Sequence, residues 1–399
     1  MNAPPLDGIR VLDLSRILAG PWCTQTLADL GAEVIKVESP GAGDDTRSWG
    51  SRLPNGSRSY FMSANRSKQS IAIDLASPEG QKVIRELAAQ SDILVENFKY
   101  GGLAKYGLDY DQLAESCPKL IYCSISGYGR KGPSAARAGY DFIIQAEAGL
   151  MSITGAPDGE PQKVGVAVSD IMAGMYAVQG ILAAVIARGK TGRGQHIDIS
   201  LFDCTLANMA NVASSALNAG TKHPRLGNAH PDIVPYQLLP AKNGDMVVAV
   251  GNDSQFRRFA TEVLERPELA KDPRFITNPS RLEHRAELIP EITKTLRTRD
   301  REYWLDAMAK RQIPGGVVCS MAEALATPDA AARDMVKTVP HAVEGTLRVT
   351  GSPLKLSDTP VREPGAPPVL GQHTDDVLKA VLGYDQGQIA ALRQAGAIG

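Results

Sequence analysis

The run SIAIDLASPEGQKVIRELAAQSDILVENF, residues 70–98, decides the fold class. SIAIDL (70–75) and DILVENF (92–98) are apolar and rich in β-branched residues, so each predicts a strand. Between them Ser77-Pro78-Glu79-Gly80 opens a helical stretch over 77–90. Ser77 is suited to cap it, and Pro78 fits the first turn, where its missing N–H goes unneeded. A strand, a helix and a second strand in this order form a crossover unit, which pairs its strands in parallel.

The same texture extends outward on both sides. IRVLDL (9–14), AEVIKVES (32–39), LIYCSIS (120–126) and HIDISL (196–201) are further strand candidates, the last followed by a helix to about residue 217. The expectation is an α/β fold with a doubly wound, Rossmann-like parallel sheet. From 222 to 325 the pattern changes to a hairpin, YQLLPAKNGDMVVAVG (236–251) with Asn243-Gly244 at its turn, and then charged helices. This predicts a smaller α/β domain over 222–325, inserted into a large domain built from both chain ends, 1–221 and 326–399. The Pro-rich segment 353–368 is expected to run extended, and two short helices close the chain after it.

Composition narrows the function. Lys and Arg number 43 against 44 Asp and Glu, a net charge of -1, which gives no electrostatic case for a nucleic acid or an acidic membrane as partner. The five cysteines (Cys23, Cys117, Cys123, Cys204, Cys319) are widely spaced with no C-x-x-C pair, so neither a disulfide framework nor a zinc site is expected. The N-terminus MNAPPLDGIRVLDL has no secretory pattern, and a reducing, cytoplasmic setting is the expectation. IMAGMYAVQGILAAVIA (171–187) carries no charge, but Ile171, Met175, Val178, Ile181, Leu182 and Val185 recur at helical spacing, predicting a buried core helix and not a membrane span.

Several familiar motifs fail on inspection. GKT (189–191) lacks the first glycine of a phosphate loop, because position 184 is Ala. No G-x-G-x-x-G follows the first strand, which counts against a nicotinamide-dependent dehydrogenase. The six histidines show no H-E-x-x-H or i, i+4 pairing, so no metal is expected, and SISGYG (124–129) lacks the first glycine of a serine-hydrolase elbow.

One charge stands out. In VGVAVSDIMAG (164–174), Asp170 lies in an apolar run at the start of the long helix. Ser169 reads as the N-cap, with Asp170 in the first turn, where free amides and the helix dipole favour an ionised carboxylate by about 0.3–1 kcal/mol. A carboxylate held charged and partly desolvated is a usable nucleophile toward an activated acyl group.

LDGIRVLDLSRILAGPWCTQTLADLGAEVIKVESPGAGDDTRSWG (6–50), ENF (96–98), SISGYG (124–129), GYD (139–141), GVAVSD (165–170), TGRGQHIDISLFD (191–203) and VLGQHTDDVL (369–378) together resemble the class III, CaiB/BaiF-type coenzyme A transferases. The resemblance runs in order along essentially the whole chain. It implies that Asp170 attacks an acyl-CoA thioester, passing through an aspartyl anhydride and an aspartyl-CoA thioester, with CoA thioesters as substrates and no bound cofactor or metal. It further implies CoA contacts at Arg16, Leu18, Ala19, Ile73, Asp74, Leu75, Ala76, Asn97, Phe98, Lys105, Arg137, Ala138, Gly139, Tyr140 and Asp141, and two subunits interlocked as a homodimer.

Within that family GAGDDTRSWG, YCSISGYG and GNAHPDIVPYQ look like the branch that handles succinyl-CoA and glutaryl-CoA. Gly227, Asn228 and His230 match the mobile loop over the site. Arg47 and His230 are then candidates to grip the distal carboxylate of a dicarboxylic acid such as glutarate, and Trp49 to wall the acyl pocket. Two alternatives remain open. An α-methylacyl-CoA racemase-type isomerase would need a His where this chain has Tyr140. A non-catalytic CoA-binding homologue would have no use for Asp170.

Overall fold

The structure, a computed structural model, describes residues 2–399. Its central element is a six-stranded, wholly parallel sheet of β1 (Arg10–Asp13), β2 (Glu33–Glu38), β3 (Gln69–Ala72), β4 (Ile93–Glu96), β5 (Ile121–Ser126) and β6 (His196–Ser200). The spatial order is β3-β2-β1-β4-β5-β6, the doubly wound arrangement in which the chain reverses direction across the sheet between β1 and β4. Every strand comes from the first two hundred residues, so the sheet itself is not assembled from both chain ends. The C-terminal end supplies a single bridge, Ile398 to Ile73, and two helices.

Alternate residues of the central strands β1, β2, β4 and β5 feed two cores. Val11, Val34, Ile93, Val95, Ile121 and Cys123 pack on one face with helix α1 (Ala19–Asp29). Leu12, Ile35, Ile71, Leu94 and Tyr122 pack on the other with helix α2 (Pro78–Ala89). Burial on both faces explains why these strands read as continuous apolar runs. Ser77 caps α2 by accepting the Gly80 N–H at 3.1 Å. Helices α3 (Asp141–Glu147), α4 (Val168–Thr191) and α5 (Leu201–Ala207) complete the first face.

Helix α4 differs from its expectation. Its buried residues are mostly small ones, Ala173, Gly174, Ala177 and Ala184 beside Val178 and Ile181, while Met175 and Ile186 are exposed. Gly174 is the reason: a Cβ there would lie 2.7 Å from the Ala19 carbonyl oxygen, so α4 lies against α1 at backbone distance. Large apolar residues cannot occupy such a contact. Among the described residues α4 is the one helix long and apolar enough to cross a membrane, and a third of that stretch is buried inside the protein.

The chain forms two compact units, the sheet-bearing one (to Leu150, Lys163–Thr221 and Pro328–Gly399) and a smaller one (Met151–Gln162 with Lys222–Thr327). The smaller unit holds the antiparallel strands β7 (Tyr236–Pro240), β8 (Asp245–Ala249) and β9 (Gly315–Val317). Met246, Val248, Phe256, Phe259, Leu288 and Trp304 fill its core. In the larger unit, hairpin β10 (Val336–His341) and β11 (Gly345–Thr350) precedes an irregular segment over 353–368. Helices α6 (Thr374–Leu382) and α7 (Gln386–Gln394) then close the chain.

Candidate active site

In a doubly wound sheet the crevice opens at the carboxyl ends of the two strands flanking the reversal of strand order. Here those strands are β1 and β4, and the residues leaving them, Arg16–Ala19 and Asn97–Tyr100, line one open cleft. The two segments are tied together: Asn97 accepts the Arg16 N–H at 2.8 Å and donates to the Arg16 carbonyl at 2.7 Å. Ile125, Ser126 and Gly127 at the end of β5 form the floor, and Ala135, Arg137, Ala138, Gly139 and Tyr140 the far wall. Gly127 and Gly139 meet backbone to backbone, since a Cβ on Gly127 would fall 2.4 Å from the Gly139 Cα.

Asp170 is the acidic residue of this cleft. The tight contact of α4 with α1 at Gly174 and Ala19 carries the first turn of α4, and so Asp170, to the lip formed by Leu18 and Ala19. Ser169 does not cap the helix. Its hydroxyl accepts from Thr205 at 2.9 Å, and Ala167 stands at the cap position without a side-chain bond. The orphan Ser169 N–H is taken by Asp141, whose Oδ1 lies 2.8 Å away and whose Oδ2 accepts from Gln145 at 2.8 Å.

The half-buried Asp170 carboxyl has no hydrogen-bond or ion-pair partner among the described residues. Burial, then the nearby charge of Asp141, pushes its pKa up to about 7. The helix dipole expected to favour the ionised form is therefore outweighed. A carboxylate with so high a pKa is more basic, and more nucleophilic once ionised, than an ordinary one.

Of the CoA-contact candidates, Arg16, Leu18, Ala19, Asn97, Phe98, Arg137, Ala138, Gly139 and Tyr140 all line the cleft with Asp170. Others lie elsewhere. Ile73 is buried and bridges Ile398, the Asp74 N–H donates to Ala397, Leu75 packs at the edge of the second core, and the Ala76 N–H donates to the Asp74 carboxylate. Lys105 is exposed over the Tyr106 ring, and Asp141 serves as the cap just described.

Among the substrate candidates, Arg47 forms a two-pronged ion pair with Glu38, both contacts at 2.7 Å, over the Phe61 ring. It lines a separate small pocket with His341. Trp49 is 41% exposed and packs edge-on to Tyr60. Gly227, Asn228 and His230 belong to the smaller unit, where the Gly227 N–H donates to Gly155, Asn228 is exposed, and His230 Nδ1 accepts the Asp232 N–H at 3.0 Å.

The cleft also holds residues that sequence reasoning missed: Lys99, Tyr100, Ser126 and Gly127. Lys99 and Tyr100 were recoverable by following the chain two residues beyond Asn97-Phe98. Tyr60 carried no local signal. Burial raises its phenol pKa, and the charges of Asp170, Asp141 and Asp44 add to the effect, so the ring lies within electrostatic reach of the candidate nucleophile.

The family model described as CoA-transferase family III matches residues 6–374. The chain is 47% identical over 384 residues to a succinate–glutarate CoA-transferase of Agrobacterium fabrum, covering 94% of this chain and 95% of that one. It is 41% identical over 397 residues to the succinyl-CoA:glutarate CoA-transferase of Homo sapiens, covering 100% of this chain and 90% of that protein. The crystal structure of a CaiB/BaiF family protein from Brucella suis superposes with a TM-score of 0.85 at 45% identity, over 95% of this chain and 100% of that one. A cleft at the strand reversal with one unpaired, half-buried aspartate, in a chain matched over nearly its whole length, leads to one conclusion: the protein is an enzyme that belongs to CoA-transferase family III.

Proposed function

We propose that this enzyme moves CoA from succinyl-CoA to a short dicarboxylic acid, with glutarate the leading acceptor, through covalent intermediates on Asp170. The observation that carries the mechanism is the unpaired carboxyl of Asp170 in the cleft, raised to about 7. An Asp170 oxygen attacks the thioester carbonyl carbon of the donor; the C–S bond breaks, CoA leaves as its thiolate, and a mixed anhydride joins Asp170 to the donor acyl group. The thiolate then attacks the Asp170 carbonyl carbon and expels the donor carboxylate, leaving an aspartyl-CoA thioester. The acceptor carboxylate attacks that thioester, breaking its C–S bond to form a second anhydride and free the CoA thiolate, which then attacks the acceptor's carbonyl carbon and expels the Asp170 carboxylate, regenerating the enzyme. No proton or electron is consumed, because one thioester and one carboxylate exchange for another.

The substrate assignment rests on the relatives named above, which act on succinate or succinyl-CoA and glutarate. Arg16, Lys99 and Arg137 give the cleft three cationic side chains for the phosphates of CoA. The Arg47 charge is already matched by Glu38, so Arg47 is not free to hold the acid's distal carboxylate. We further infer an interlocked, cytoplasmic homodimer. Exposed Phe142, Ile143, Met175, Ile186 and Leu217 form apolar surface of the kind a second copy covers.

The test is to mix the enzyme with succinyl-CoA and a panel of free acids, glutarate first, and identify new acyl-CoA species by mass spectrometry. New thioesters that vanish in Asp170→Ala support the reading. No exchange with any diacid sinks it.

A further inference from the structure

Ile17 has a backbone φ of 69° in the turn that walls the cleft. A β-branched side chain in the left-handed region is a rare outlier, sustained only where its surroundings over-determine it. Glycine would adopt this conformation freely but would leave no side chain in the wall. Something must therefore hold Ile17 there.

The holding group is Asp44, 1% exposed. Its two carboxylate oxygens lie 3.3 and 3.2 Å from the Ile17 N–H. The carboxylate is itself fixed on three sides, by the fully buried Lys36 ammonium at 3.0 Å and by the Thr46 N–H and hydroxyl at 3.0 and 2.7 Å. Lys36 donates at 2.8 Å to the carbonyl of Ser15, so one ammonium grips both the acid and the start of the turn. Asp13, paired with the equally buried Lys68 at 3.1 Å, receives the Ser15 N–H at 2.9 Å. Glu38, which also faces Lys36, accepts the Asp44 N–H at 3.0 Å and is neutralised by Arg47. Two buried lysines and three buried acids thus cluster at this turn, and their direct backbone contacts fall on Ser15 and Ile17. That is more charge than a turn needs merely to exist, and buried ion pairs are poor stabilisers for their cost in desolvation.

We propose that Asp44 is a positioning residue for CoA binding: by receiving the Ile17 N–H it imposes the left-handed turn and sets the wall against which CoA is held. The proposal rests on the CoA-transferase reading of the cleft. It predicts that the need for Asp44 disappears when residue 17 no longer resists its conformation.

The experiment is a double-mutant cycle of Asp44→Asn and Ile17→Gly, read by calorimetric titration with CoA. Asp44→Asn in the wild-type background is expected to weaken CoA binding by about tenfold, a loss the size of one residue's backbone strain. In the Ile17→Gly background the same substitution is expected to cost less than about threefold, because glycine takes positive φ unaided. In steady state the Asp44→Asn loss should fall on KM for succinyl-CoA and not on kcat. A merely structural lesion would instead lower the active fraction, and with it kcat. Should Asp44→Asn fail to fold, Thr46→Val, which removes one donor to Asp44 and leaves the Lys36 pair, should give a smaller loss that Ile17→Gly likewise erases.

Equal weakening in both backgrounds, or unchanged CoA affinity in Asp44→Asn, would overturn the proposal. A wild type that binds CoA with the expected cycle but transfers it to no acid would sink the transferase assignment alone. A wild type that does not bind CoA would overturn both.

Discussion

Gly174 and Ala19 meet so closely that a Cβ on Gly174 would stand 2.7 Å from the Ala19 carbonyl oxygen and 3.2 Å from the Trp22 ring. Asp170 lies one helical turn before this contact and Leu18 just before its partner, so the spacing of two helices sets the distance from the Asp170 carboxyl to the cleft wall. Gly174→Ala forces α4 and α1 apart. Overpacking of this kind costs about 1–3 kcal/mol, which a lowered melting temperature will register. Because the displaced first turn carries Asp170, kcat should fall by more than the loss of folded protein explains, while CoA affinity changes less.

The raised pKa of Asp170 makes a signed prediction for activity. In the proposed mechanism only the ionised carboxylate attacks, so kcat/KM for succinyl-CoA should rise with pH and reach half its plateau near the value of about 7. Burial is the larger cause and Asp141 the second. Asp141→Asn keeps an oxygen for the Ser169 N–H but removes the like charge, so the rising limb should move to lower pH while remaining above the ordinary carboxylate range. A pH profile for the two proteins under matched conditions checks both statements.

The same shift predicts a stability effect of opposite sense to a salt bridge. A carboxyl whose folded pKa exceeds its unfolded value binds its proton more tightly when folded. The native state therefore loses stability as pH climbs from the unfolded carboxylate range to about 7, and the whole penalty is present above that. Asp170→Asn removes it. The variant should melt higher than wild type at about pH 8 and converge with it toward about pH 4. Glu96, also buried and pushed up to about 7, retains its own slope in both proteins and cancels in the difference.

How much of this was readable beforehand follows from where each signal resides. Strands β1 to β5 were legible because their residues are buried almost throughout and spell largely apolar runs, whereas β6, with Asp198 exposed, showed only through Ile197 and Ile199. The burial pattern of α4 was legible only in part: Val178 and Ile181 of the apolar stripe are buried, but close approach selects Ala and Gly, which the periodicity discounts, and leaves Met175 exposed. The hairpin Val336–His341 with Gly345–Thr350 carries Pro340 inside a strand, which masks it. Ser169 looked like a cap because caps are sought locally, whereas Asp141, 28 residues earlier, performs the task. The Asp13, Lys36, Asp44 and Lys68 cluster draws on four separate segments, and no local pattern announces it. Cleft residues were legible by resemblance where their motif ran through the turn, as at Arg16 to Ala19, and lost where it stopped short, as at Lys99 and Tyr100.

Arg137 gives the last prediction. Its guanidinium lies over the Tyr128 ring and pairs with Glu147 at 2.6 Å, on side chains that are 50% and 38% exposed. A pair this open adds little to stability, so neither Arg137→Gln nor Glu147→Gln should shift the melting temperature appreciably. Binding should separate them. Arg137 lines the cleft, and on the proposed reading a CoA phosphate bound there competes with Glu147 for it. Removing the arginine deletes a phosphate ligand and should raise KM for acyl-CoA by about tenfold, the range of a charge-assisted hydrogen bond. Removing the glutamate frees the arginine and should lower that KM, most visibly at low salt, where phosphate contacts are least screened. Opposite signs of the two KM changes would assign Arg137 to the phosphates, whereas parallel increases would mean that the pair matters only for holding the cleft wall in shape.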